Sequence, residues 1–170
     1  MRKNPSDTFD ILKAEYLKPD CSHGAKPALL SALDRTDDKD ILQRLATFDL
    51  AVLPSGESIA SSDMSWPIYS MGNHSIGKYI QWEYVKNNWT DVVAKMGSVA
   101  VLDRLLRYIL GGFSSRANLT DVDDFFRNKY TEGFAKALKK CKDEIQSRAS
   151  YRERDAASLK QWLMDNGYIN

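Results

Sequence analysis

The chain has 170 residues, with 24 basic against 23 acidic and a formal net charge of +1, so no field of one sign steers it toward nucleic acid or an anionic membrane. Apolar residues make up 43% and charged residues 28%, the composition of a soluble globular domain, and the length suits one well-buried core, with residues 1–170 read as a single helical domain. Cys21 and Cys141 lie too far apart to build a disulfide framework, which points to a reducing compartment, the cytoplasm; no apolar run is long enough to span a membrane, and Met1-Arg2-Lys3 is not followed by the apolar core of a signal peptide.

Taken in chain order, Ser6 or Asp7 caps a first helix that carries Phe9, Leu12 and Tyr16 on one face. Pro19 to Gly24 is a loop by its Pro, Asp, Ser and Gly content. A second helix starts near Pro27 and buries Leu29, Leu30 and Leu33. Asp37 or Asp38 opens a third, holding Ile41, Leu42, Leu45 and Phe48, and Leu53 to Ser58 is a break. The next element, from about Ser61 to Met71, has Met64, Ile68 and Met71 at helical spacing. Pro67 fits it only in the first turn, because an interior proline costs about 3 kcal/mol.

Gly72-Asn73-His74-Ser75 leads into an amphipathic helix in which Ile76, Tyr79, Ile80, Val85, Trp89, Val92, Val93 and Met96 recur at three- and four-residue steps. Gly97-Ser98 breaks it. Val99, Leu102, Leu105, Leu106, Ile109 and Leu110 form the most apolar helix, which Gly111-Gly112 closes as a left-handed cap. Thr120 to Asp123 reads as an N-terminal cap ahead of Phe125 and Phe126, with acidic groups at the positive end of the dipole. Thr131-Glu132 opens a helix with Phe134, Leu138, Cys141 and Ile145 along one stripe. A last helix, Tyr151 to Asp165, buries Leu159, Trp162 and Leu163 and stops at Asn166-Gly167. No alternating run signals a strand. The expected fold is all-α, about eight helices with short connections in antiparallel pairs, without a regular sequence repeat.

Catalytic and metal motifs are missing from the sequence: it has no His-Glu-x-x-His, no Cys-x-x-Cys, no Gly-x-Ser-x-Gly and no phosphate-binding Gly-rich loop. Asp20-Cys21-Ser22-His23 is the one local grouping of metal-ligand types, and it reads better as a polar loop because no second ligand pair accompanies it. His74, as a general base oriented by Asp63, lacks a presented nucleophile and reads better as a loop residue before a helix. Lys136, Lys139, Lys140, Lys142, Arg148, Arg152 and Arg154 are interleaved with Asp143, Glu144, Glu153 and Asp155, which suits a salt-bridged surface rather than a nucleic-acid face. Trp66, Trp82, Trp89 and Trp162 read as core.

Several blocks occur in a telling order: Leu30-Ser31-Ala32-Leu33-Asp34-Arg35-Thr36-Asp37-Asp38, then Ser61-Ser62-Asp63, Asn73 and Gly77-Lys78, Trp82-Glu83-Tyr84-Val85-Lys86 with Asn88-Trp89. Leu102-Asp103-Arg104-Leu105-Leu106, Gly112-Phe113, Val122 to Phe126, and the stretch from Arg148 to Leu163 complete the series. From about Phe9 to Trp162 the chain resembles the distal half of the C-terminal helical domain of puromycin-sensitive and endoplasmic-reticulum-trimming zinc aminopeptidases, and it looks most similar to fungal members.

The resemblance implies an irregular, armadillo- or HEAT-like stack of antiparallel helix pairs that closes over a catalytic domain and encloses the peptide substrate. It also implies that the zinc and its His-Glu-x-x-His ligands belong to the parent enzyme. This chain would then have no catalytic residue, no metal ligand, no cofactor and no enzymatic activity of its own, with the parent's catalytic domain and a peptide as partners. Arg35 is the residue the resemblance marks for binding, its guanidinium suited to a peptide's C-terminal carboxylate. The other role open to Arg35 is to cap its helix end or pair with Asp37 or Asp38. Asp34 replaces the family's usual Gly, and Ile59-Ala60-Ser61-Ser62 lacks the usual Arg and Gln. A stand-alone helical protein-interaction module is the alternative function.

Overall fold

The structure is a computed structural model that describes residues 5–33, 35–51, 58–60 and 62–169. Asp34, Ser61 and most of the predicted break at Leu53–Ser58 lie outside the described residues. Among them the chain is all-α, with no strand, and it divides into two compact units, Met1–Gly112 and Phe113–Asn170.

The first unit contains α1 (Pro5–Tyr16), α2 (Ala25–Leu33), α3 (Lys39–Leu50), α4 (Ser65–Asn73), α5 (Gly77–Asn87), α6 (Trp89–Met96) and α7 (Val99–Leu110). α1 packs on α2, α3 on α5, and α4 on both α5 and α7. Leu30, Leu42, Leu45, Ile59, Met71, Trp82, Leu105, Leu106 and Ile109 are among its most deeply buried apolar side chains. Sequence and structure agree on several boundaries. Asp38 caps α3, its Oδ1 accepting from the backbone N–H groups of Asp40 at 2.9 Å and Ile41 at 3.3 Å. Pro67 stands in the first turn of α4, where no helical partner is lost. Gly97 adopts φ 64° and closes α6, and Ser98 Oγ caps α7 by accepting from Val101 N–H.

Three features of this unit differ from the expectation. The helix read as continuous through Trp82 and Trp89 is broken at Asn88, whose side-chain amide donates to the Tyr84 carbonyl at 2.9 Å and turns the chain into α6. The break changes which apolar positions are covered: Trp82, Val85, Val92 and Met96 are buried, whereas Tyr79 and Val93 are exposed. Gly111-Gly112 is no left-handed cap, since Gly111 keeps a right-handed φ of −59°. The glycines there and in α4 serve close approach instead: a Cβ on Gly112 would sit 2.0 Å from the Gly72 carbonyl oxygen, and one on Gly72 would sit 2.1 Å from that of Tyr108. Trp66, expected in the core, is 58% exposed.

The second unit contains α8 (Arg116–Phe126), a 3-10 turn at Glu132–Phe134 and α9 (Ala135–Asp165). α8 begins earlier than Thr120. Ser115 Oγ accepts from Asn118 N–H at 3.2 Å and donates to Asn118 Oδ1 at 2.8 Å, a reciprocal cap that places Thr120 to Asp123 inside the helix. The two helices expected after Thr131 are one, because nothing between Ile145 and Tyr151 breaks the backbone. Ala149 continues the buried stripe of Leu138, Cys141 and Ile145, while Lys139–Asp143 and Glu144–Arg148 pair one turn apart. Leu159 and Trp162, expected to be buried, are 52% and 53% exposed. No helix among the described residues is long and apolar enough to cross a membrane.

Candidate functional site

Arg35 follows the end of α2, in the short connection that leads to α3. This corner is built so that its neighbours have partners of their own. Thr36 Oγ1 accepts from Asp38 N–H at 3.1 Å, Asp38 caps α3, and the Asp37 carboxylate lies 3.2 Å from His74 Nε2. Neither acid is therefore occupied by Arg35, and no hydrogen bond or ion pair joins its guanidinium to any described residue. It is exposed and lines a groove of about 260 Å³ together with Thr8, Phe9, Leu12, Leu33 and Ile41. A cation beside an apolar floor fits a ligand that ends in a carboxylate and carries a nonpolar side chain.

Two further grooves flank α3. One, of about 440 Å³, runs between α1 and α3 and is lined by Phe9, Lys13, Gln43, Arg44 and Phe48. Arg44 pairs with Asp10 and its guanidinium lies over the Phe9 ring, 4.2 Å from the centroid. The other, of about 620 Å³, runs between α3 and α5 past Ile76, Tyr79, Ile80 and Tyr84.

His74 and Asp63, considered together from sequence, are directed to different partners. His74 Nδ1 accepts from the backbone N–H groups of Ile76 at 3.2 Å and Gly77 at 3.0 Å, capping α5, which leaves the proton on Nε2 to face Asp37. Asp63 accepts from the Tyr16 hydroxyl at 2.8 Å and from Ser62 Oγ at 3.1 Å, with Lys26 3.8 Å away. Tyr16 in turn accepts from Ala60 N–H at 3.1 Å, and burial together with the neighbouring Asp63 and Asp49 pushes its phenol up to about 12. The cluster ties α1 and α2 to the approach to α4. Among the described residues no three His, Cys, Asp or Glu side chains gather as a metal site.

Two polar groups passed over in the sequence are completely buried: Asp49 in α3 and Gln81 in α5. Neither oxygen of Asp49 meets a hydrogen-bond donor among the described residues. Burial raises its pKa well above the usual carboxylate value, outweighing the opposing pull of Lys95. Lys95 instead uses its Nζ to donate to the backbone carbonyls of Asp49 at 2.7 Å and Ala51 at 2.8 Å, closing the negative end of α3. A signal existed: Asp49 continues the Leu42–Leu45 spacing of the buried face.

The family profile described as the ERAP1-like C-terminal domain matches residues 1–147. Over 168 residues the chain is 28% identical to "Aminopeptidase 2, mitochondrial" of Saccharomyces cerevisiae, covering 98% of this chain and 17% of that protein. It is 26% identical over 168 residues to Aminopeptidase 2 of Candida albicans, covering 95% and 17%, and 24% identical over 150 residues to Endoplasmic reticulum aminopeptidase 2 of Bos taurus, covering 84% and 15%. The chain spans about one-sixth of the length of these relatives.

Proposed function

Because the chain belongs to the ERAP1-like C-terminal domain family, we propose that it acts as the non-catalytic part of a zinc-dependent aminopeptidase. In this reading it lies over the catalytic part, walls the chamber that holds the peptide and shapes which peptides are accepted. The zinc and its ligands belong to the catalytic part, and the cytoplasm, a reducing compartment, is where the assembly works.

The observation that carries the peptide-binding role is the groove at Arg35, where an exposed guanidinium has no partner among the described residues while both neighbouring acids are engaged elsewhere. Its planar fork suits the C-terminal carboxylate of a peptide, and Phe9, Leu12, Leu33 and Ile41 suit the last side chain.

The test is a chimera of the yeast Aminopeptidase 2 in which this chain replaces the stretch it matches. Cleavage of peptides of increasing length, each with a free or an amidated C-terminus, is measured for Arg35 and for Arg35→Ala. A charge-assisted pair at the far end of the peptide is worth a preference of roughly tenfold for the free acid, which Arg35→Ala removes. An undiminished preference in the variant overturns the role of Arg35. Loss of all dependence on peptide length in the unaltered chimera overturns the enclosing role.

A further inference from the structure

Beyond Ala149 no residue of α9 is buried, yet its apolar spacing continues. Leu159, Trp162 and Leu163 stand at three- and four-residue steps, and the chain then turns through Gly167 at φ 73° so that Tyr168 N–H donates to the Leu163 carbonyl at 2.9 Å. The Tyr168 ring stacks on Trp162, with centroids 5.6 Å apart and planes 16° from parallel. Tyr168 is 69% and Ile169 40% exposed. A few helical turns have little stability of their own in water, so an apolar stripe on such a projection gains from burial only when another surface covers it. An aromatic pair already locked by stacking is the kind of anchor that loses little entropy on docking.

We propose that this end of α9, centred on the Trp162–Tyr168 stack, docks into a nonpolar groove on the part of the aminopeptidase polypeptide that lies outside the stretch matched by this chain. The inference rests on the reading of the chain as one part of such an enzyme. Three observations select this occupant. The patch offers a few hundred Å² of apolar surface, whereas two separate molecules need about 800 Å² each for stable association. That is too little for a second copy of the chain but enough for a surface on the same polypeptide, where tethering holds the effective concentration near the millimolar range. Arg152, Arg154 and Lys160 balance Glu153, Asp155 and Asp165, so the projection carries no net charge to favour a polyanion or an anionic lipid surface. The match to the yeast relative covers 98% of this chain, and so includes Leu159, Trp162 and Leu163, while about five-sixths of that relative remains to supply the groove.

The experiment compares amide hydrogen exchange of residues 151–169 in the free chain and in the yeast chimera. Slowing of at least tenfold in the chimera is expected, and it is lost in Leu159→Ser/Trp162→Ala. Because these side chains are exposed in the free chain, the variant retains its fold, checked by its melting curve. Should the chimera not fold, the same exchange is read with the yeast polypeptide lacking the matched stretch in excess over this chain, near the millimolar concentration that tethering supplies. Equal exchange in the free and joined states overturns the proposal, as does protection that rises with the concentration of the free chain, which would make a second copy the occupant. Arg35→Ala separates the two readings. Tail protection with unaltered peptide preference in that variant overturns only the role of Arg35, and an unprotected tail with a length-dependent enzyme overturns only the docking.

Discussion

Replacing Gly72 by Ala sets two effects of opposite sign against each other. The added Cβ would stand 2.1 Å from the Tyr108 carbonyl oxygen and 2.9 Å from its carbon, both backbone atoms of α7, where real Cβ atoms stay beyond 3.0 Å. Relief requires α4 and α7 to separate by about 1 Å, and a gap of that size forfeits a quarter to a half of each dispersion well. Ile68, Met71, Leu105 and Ile109, none more than 3% exposed, carry the apolar packing of these two helices. With about ten cross-helix contacts for each side chain at 0.1–0.2 kcal/mol, the loss is on the order of 2–3 kcal/mol. Against it stands the better helix propensity of Ala, about 1 kcal/mol. The net destabilisation of about 1–2 kcal/mol lowers Tm by about 3–6 °C in a chain of this size. Circular dichroism melting measures it, with Gly24→Ala, where nothing lies within 4 Å of the new Cβ, as the neutral control. A Gly72→Ala protein that melts at or above the unaltered chain refutes the packing argument.

Asp49 gives a pH-dependent expectation. Its folded pKa is raised by burial, so above the ordinary carboxylate value of about 4 the native state holds a proton that the unfolded state releases, and stability falls as pH rises toward the folded pKa. Asn at this position has no such proton; urea titrations should show Asp49→Asn gaining on the unaltered chain from pH 4 upward, and a pH-independent difference contradicts the assignment. Tyr16→Phe removes the hydroxyl shared by Asp63 and Ala60 N–H and should cost about 1–3 kcal/mol in the same assay. A cost below 0.5 kcal/mol would mean that water replaces it. His74→Ala deprives two N–H groups of α5 of their acceptor and should cost about 1 kcal/mol. His74→Asn, which restores an acceptor, should recover most of it, and equal losses in both variants would assign the effect to packing.

The buried stripes of α3 and α7, the cap at Asp38, the break at Gly97-Ser98 and the place of Pro67 were all legible from residue type and spacing, because each depends on interactions within a turn or two of chain. The ordered blocks from Leu30 to Leu163 were legible as a family likeness, and the family match over residues 1–147 together with the yeast alignment over 98% of the chain bears that out. At the candidate site the family resemblance marked Arg35, and the sequence left open whether Asp37 or Asp38 would engage it. That depended on His74, thirty-odd residues away, which takes Asp37, and on the cap that takes Asp38.

Local pattern alone determined that this chain is helical, where most of its helices start, and which residues share a face. Only the tertiary structure decided what stands opposite each face. It buried Asp49 in a stripe of leucines, brought α4 and α7 so close that Gly72 and Gly112 admit no Cβ, and left Leu159 and Trp162 exposed although their spacing matches that of a core helix. Periodicity is a property of one helix, whereas burial needs a second surface at van der Waals distance, and that surface comes from residues far away along the chain.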